Sequence, residues 1–154
     1  MSQKEVIINV GLPGSGKSTY AIEYIQKNKN LNSIICSADD YFINSSGKYV
    51  YVPSKIKNAH DDCKKKFVDA LHDPNIDVII VDNTNLQKMH RDWYVNKARE
   101  NGAKVKIALA KDFEKFLNAP EDKKIYWLEL FAKRNLHGVD LQTLKRMLTK
   151  YEPV

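Results

Sequence analysis

The stretch "GLPGSGKST", residues 11–19, has the spacing G-x-x-x-x-G-K-[ST]. That spacing has meaning only between a strand and a helix, and the flanking sequence supplies both. Val6 to Val10 is a short apolar run that reads as a buried strand. From about Lys17 to Lys27, Tyr20, Ala21, Tyr24 and Ile25 fall on one face of a helix. In such a turn Gly11, Gly14 and Gly16 let the backbone curl so that N–H groups point at phosphate oxygens. The helix N-terminus adds partial positive charge. Lys17 then reaches the β- and γ-phosphates, Ser18 offers its hydroxyl to Mg²⁺, and Thr19 donates to the α-phosphate. With Ser15 between the glycines, Gly11, Gly14, Ser15, Gly16, Lys17, Ser18 and Thr19 form the expected ATP-binding set. A chance glycine-rich turn would lack this context.

Outward from the loop, strands and helices alternate. Ser33 to Cys36 reads as a second strand. Asn44 to Ser54, "NSSGKYVYVPS", is a turn-rich insertion suited to a small hairpin or flap. Ile56, Ala59, Cys63, Phe67 and Ala70 recur at helical spacing. Asp77 to Asp82, "DVIIVD", is a continuous apolar run framed by acids, as expected for a strand buried on both faces of a parallel sheet. A helix from about Lys88 to Asn101 stops at Gly102, and Lys104 to Ala110 forms the fourth strand. Residues 111–122 read as a connection to a helix over roughly Asp122 to Lys133. Gly138 breaks the chain, and Asp140 caps a last helix that carries Leu141, Leu144 and Leu148 on one side. The pattern predicts a three-layer α/β/α fold with a mostly parallel sheet of about four to five strands.

In such sheets ligands bind beyond the carboxyl ends of the strands. The phosphate loop, "SADDYF" (residues 37–42) and "DNTN" (residues 82–85) therefore share one rim. Asp82, ending a buried strand, suits the Mg²⁺ shell; "DNTN" equally suits a turn or helix cap, and both can hold at once. Asp39 and Asp40 admit two readings. One carboxylate accepts the proton of an acceptor hydroxyl while the other caps the next turn or orients the first, or both are helix-cap or loop acids.

Bulk properties set the outer limits. The 154 residues suit one domain, expected to span 1–154, and 43% apolar content supports a normal core. No run of eighteen apolar residues spans a membrane, and the N-terminal segment reads as strand rather than signal core, so a cytoplasmic protein is expected. Cys36 and Cys63 are expected as reduced core residues. The net charge of +6 is compatible with simple solubility or with a polyanionic partner such as ATP or a nucleic acid end. "CKKKF", residues 63–67, reads as a solvated helix face or a nucleic-acid patch; Tyr41, Phe42, Tyr49 and Tyr51 read as core and flap packing or as base-stacking groups. Arg91 is a candidate second phosphate contact; the four histidines lack metal-ligand spacing, and His137 alone stands out, with a helix C-terminal role as its default.

Together, "GLPGSGKST", "SADDYF", "VDNTNL", "KRN" and "LKRML" resemble, in the same order and over nearly the whole chain, the kinase domain of phage polynucleotide kinase. They are also similar to the P-loop domain of the myelin cyclic-nucleotide phosphodiesterase and related small AAA-type ATPases. The resemblance implies a P-loop NTPase fold with a helical lid. It implies Asp39 as base for a 5′-hydroxyl, and Lys17 and Ser18 in their phosphate and metal roles. Arg134 matches a lid arginine that contacts ATP phosphates; as an ordinary surface residue it would instead pair with Glu129 or another helix acid. Three departures stand out. Phe42 occupies the place of an arginine that helps hold the acceptor phosphate, a second lid arginine is missing, and "NTN" replaces "DTN". With Val154 as its last residue, a kinase domain without the phosphatase domain of the bifunctional enzyme is expected.

The expected activity is transfer of the ATP γ-phosphoryl to a nucleic acid 5′-hydroxyl, RNA or DNA, with Asp39, Lys17 and Arg134 as catalytic residues and Ser18 and Asp82 at Mg²⁺. The alternatives are a kinase of small alcohols such as nucleosides or sugars, and a nucleotide-binding ATPase module with weak catalysis.

Overall fold

The computed structural model describes residues 3–154. Four strands form one parallel sheet in the order β2-β3-β1-β4. They are β1 (Glu5–Val10), β2 (Ser33–Cys36), β3 (Val78–Val81) and β4 (Lys104–Leu109). β1 lies in the interior, paired to β3 on one side and β4 on the other. The residues of β3 are all buried, and Asp77 and Asp82 fall just outside its ends.

Side-chain alternation divides the core. Val6 and Ile8 of β1, with Ile79 and Val81 of β3, pack against helices α2 (Ile56–His72) and α3 (Lys88–Glu100). Ile7 and Ile80 point to the opposite face and meet α1 (Lys17–Lys27) through Ala21. Helices thus cover both faces, as the continuous apolar strands require. At the carboxyl end of β1, Val10 and the following Leu12 join a further cluster with α4 (Lys111–Asn118), α5 (Glu121–Arg134) and α6 (Leu141–Leu148).

Most element boundaries match the sequence reading to within a residue or two, and their stops have local causes. After α3, Gly102 is left-handed (φ 73°), its amide donates to Arg99 C=O (3.0 Å), and Ala103 N–H reaches back to Ala98 C=O (3.0 Å). The Asp140 side chain accepts from Thr143 N–H and caps α6. One expectation fails. Residues 111–118 are a helix, not a connection, because Phe113 and Phe116, three apart, are both buried against α5 and α6. An antiparallel bridge from Ile43 to Tyr49 closes the start of the insertion 44–54, which turns at Gly47 (φ 80°), where Asn44 Oδ1 accepts the amides of Ser46 and Lys48. A short 3₁₀ turn, Pro53–Lys55, then leads into α2.

Candidate active site

A cleft of 810 Å³ opens over the carboxyl ends of β1, β2 and β3. Gly14–Thr19 form one wall; Asp39, Asp40 and Ile43 form another; Arg134–His137 cross between them. Of the residues expected to bind ATP, hold Mg²⁺ or act in catalysis, all but Gly11 line this space, and the candidate phosphate contact Arg91 does not.

The loop glycines have different tasks. Gly14 and Gly16 have φ of 81° and 98°, values that favour glycine. A Cβ on Gly14 would also sit 2.9 Å from the Phe131 Cα of α5, whereas one on Gly16 would meet nothing, so only conformation demands glycine there. Gly11 is required by space: a Cβ would lie 2.5 Å from Ser15 Oγ and 3.0 Å from Ala110 Cβ. Its amide donates to Thr84 C=O (3.0 Å) and does not join the phosphate-facing N–H groups. Ser15 is fully buried, and both its amide (3.1 Å) and hydroxyl (2.6 Å) donate to Leu12 C=O, so in this structure it braces the loop. The first bond of α1 runs from Tyr20 N–H to Gly16 C=O (3.0 Å), which leaves the amides of Lys17, Ser18 and Thr19 without a carbonyl inside the helix. A phosphate is the natural acceptor for donors so arranged.

Ser18 Oγ donates to Asp82 Oδ2 at 2.7 Å. Asn9, a buried polar residue within the apolar run of β1, donates from Nδ2 to Lys17 C=O (3.1 Å) and to Asp82 Oδ1 (3.4 Å). Asn85, left-handed at φ 48°, donates to the Asn9 carbonyl (2.9 Å). The phosphate loop and the end of β3 are therefore tied through Asn9, which the sequence reading passed over as strand; its polarity within "VIINV" was the available signal. Hydroxyl and carboxylate are hard oxygen donors, few in number, which suits Mg²⁺ holding water and phosphate oxygens in its remaining positions.

Ser37, not either aspartate, caps the 3₁₀ turn Ala38–Phe42 by accepting from Asp39 N–H (3.3 Å). Asn83 Oδ1 accepts from Ala38 N–H (2.8 Å) and fixes that turn against the end of β3. Asp39 is left with its carboxylate in the cleft, its side chain 46% exposed. Tyr49 O–H approaches Oδ1 at 3.5 Å, and His137 Nε2 approaches Oδ2 at 3.3 Å. The tyrosine and histidine rings lie 4.4 Å apart. Desolvation, then the nearby Asp39 carboxylate, pushes the Tyr49 phenol up to about 12, so it remains a donor at neutral pH. Partial desolvation also pushes the Asp40 carboxyl above its ordinary value; Lys66 opposes the shift while Asp39, Asp82 and Asp62 add to it.

Arg134, at the end of α5, donates from Nε (3.1 Å) and Nη2 (2.6 Å) to Gly14 C=O and pairs with Asp112 at 2.9 Å. Its acidic partner is thus Asp112 of α4, not Glu129. Arg91 has no part in the cleft. It is buried, with Nη1 on the carbonyls of Asn85 and Leu86 (both 2.9 Å) and Nη2 on Glu152 C=O (2.8 Å). Phe42 is buried, ringed edge-on by Tyr41, Tyr49 and Tyr51, and anchors the insertion to the core. Within "CKKKF", Lys64 lies over the Trp93 ring and Lys66 pairs with Asp62 (3.1 Å). Cys36 and Cys63 are free and buried, and burial pushes the Cys36 thiol up to about 12. Among the described residues no helix is long and apolar enough to cross a membrane.

Comparison with known proteins places the fold and the family. Human NEDD4-binding protein 2 is 34% identical over 142 residues; the match takes in 92% of this chain but 7% of the human protein. A chain of the Pnkp1/Rnl/Hen1 RNA repair complex superposes with a TM-score of 0.66 at 19% identity, covering 97% of this chain and 44% of the other. The Mycobacterium tuberculosis APS kinase CysC, solved with AMPPNP and APS, superposes with a TM-score of 0.57 at 16% identity, covering 100% and 85%. These solved structures share the P-loop NTPase fold. A family model described as an AAA domain matches residues 6–154, and the chain is a member of that family.

Proposed function

We propose that the chain is an ATP-dependent kinase that transfers the γ-phosphoryl group to a hydroxyl, with a nucleic acid 5′-end as acceptor. The observation that carries this reading is the placing of Asp39 in the same cleft as the orphan amides of Lys17–Thr19. Donor phosphates bind on one wall, and a carboxylate stands on the other to orient an acceptor hydroxyl and take its proton. Lys17 holds the β- and γ-phosphates. Ser18 and Asp82, already 2.7 Å apart, would hold Mg²⁺, which offsets phosphate charge when bound. Arg134 exchanges the Gly14 carbonyl and Asp112 for phosphate oxygens as charge shifts during transfer. The likeness to a chain of an RNA repair complex supports a nucleic acid acceptor.

A small-molecule acceptor is the second reading. It is favoured by Phe42, which is buried in the core where the polynucleotide kinases carry an arginine for the acceptor phosphate. Transfer from labelled ATP to 5′-hydroxyl RNA and DNA oligonucleotides, nucleosides and sugars decides between them. Label on an oligonucleotide 5′-end, lost in Asp39→Asn, supports the first; label on nucleosides or sugars alone overturns it.

A further inference from the structure

Four consecutive residues, Arg134 to His137, join the two walls of the cleft. Arg134 grips the phosphate loop at Gly14 C=O. Asn135 closes the next turn on itself: its Nδ2 donates to Phe131 C=O (3.0 Å) and Val139 C=O (2.8 Å), while its Oδ1 accepts from Val139 N–H (2.8 Å). That closed turn, with Gly138 left-handed at φ 71°, presents His137 to Asp39 at 3.3 Å. The imidazole does not hang free, because its ring lies 4.4 Å from Tyr49, whose own hydroxyl points at the other Asp39 oxygen. Each carboxylate oxygen has two lone pairs, so one neighbour per oxygen fixes the carboxylate while leaving room for an acceptor hydroxyl.

We propose that His137 is a positioning residue for Asp39. Through Nε2–H it holds the carboxylate facing the cleft, and the Asn135-closed turn makes that hold part of the same strap that carries Arg134. The inference rests on the reading of Asp39 as the acceptor base. A general base works only within hydrogen-bond reach of the proton it takes, so loosening the carboxylate lowers turnover without weakening donor binding.

The test separates the donor group from the ring. His137→Phe keeps an aromatic ring on Tyr49 and removes the Nε2 contact with the carboxylate; His137→Gln removes the ring and keeps an N–H at similar reach. With ATP and a 5′-hydroxyl oligonucleotide, His137→Phe is expected to lower kcat about five- to tenfold at unchanged KM for ATP and unchanged Tm. His137→Gln should recover most of that loss. Wild-type kcat in His137→Phe, or equal losses in both variants, overturns the proposal. Its failure stays distinct from failure of the kinase reading, which would show as a wild-type protein that transfers phosphate to no acceptor. An arm without turnover then decides: in ¹⁵N-labelled protein the Nε2 resonance of His137 should move on Asp39→Asn, and an unmoved resonance overturns the contact.

Discussion

The two walls of the cleft, donor and acceptor on the function proposed above, are built by different means. The donor wall is one contiguous turn, braced by Ser15 and Asn9 through bonds of 2.6 and 3.1 Å and shaped by glycines in left-handed conformations. The acceptor wall is assembled from Asp39, Tyr49 and His137, brought together across the chain at 3.3 and 3.5 Å. Asp39 and His137 side chains are 46% and 36% exposed. A triphosphate presents the same oxygens each time, so its cradle can be prebuilt and rigid. An acceptor must be admitted, aligned and released as product, and the looser, solvated wall fits that demand.

If that division is right, the most damaging change lies on the donor wall. Lys17→Ala should abolish phosphoryl transfer while circular dichroism and melting stay near wild type, because Lys17 lines the cleft and not the core. Near wild-type turnover would mean that ATP is not bound as described. On the acceptor wall, Asp39→Asn keeps shape and removes the proton acceptor. A fall in kcat of ~10²-fold or more is expected, with ATP affinity little changed. A matching loss of ATP affinity would erase the distinction between the walls.

The same contrast explains what could be read in advance. The donor wall follows from local spacing, since glycines, lysine and serine sit in one short segment and their physics acts over a few residues. The strands were readable because a doubly buried parallel strand must be continuously apolar. Helix α4 was missed because it is short, lacks a capping side chain and gains its stability from Phe113 and Phe116 against distant helices. Asn9 hid inside a strand pattern. The roles of Asn83, Asn135 and His137 depend on which loops meet above the sheet, and nothing in their neighbouring sequence states that. Arg91 misled because basic residues near an ATP site suggest phosphate; its four-carbonyl cage, including Pro153 C=O at 3.3 Å, appears only when the chain folds back on itself.

Arg134 belongs to both walls, and its substitution should fall between the extremes. Arg134→Lys keeps charge but loses the planar fork that reaches Gly14 C=O through two nitrogens. Both Arg134→Lys and Arg134→Ala should depress kcat, the alanine by about tenfold and the lysine by less, with KM for ATP moving little. The Asp112 pair is part-exposed and contributes under ~1 kcal/mol, so Tm should hardly change. Intact activity with a lowered Tm would make Arg134 structural and leave the strap without its donor-side grip.

The smallest effect is expected at Asp40, and it sharpens the comparison because its sign is opposite. Its carboxyl is pushed up by partial desolvation, opposed by Lys66 and reinforced by Asp39, Asp82 and Asp62. A raised folded-state value means that the native protein binds the Asp40 proton more tightly than the unfolded chain does. Stability therefore declines as pH rises through the carboxylate range, and at neutral pH the ionised Asp40 is a burden on the fold. Asp40→Asn removes that burden. It should raise Tm at pH 7 by about one or two degrees, a fraction of what 1 kcal/mol gives a domain of this size, and the gain should vanish once pH falls below both values. Turnover should drop far less than in Asp39→Asn, since Asp39 is the carboxylate contacted by Tyr49 and His137. Thermal melts of wild type and Asp40→Asn between pH 3 and pH 8, alongside kcat, read both effects. A larger kinetic loss at Asp40 than at Asp39 would move the base to Asp40, and a Tm that falls on substitution would show that Lys66 outweighs the surrounding acids.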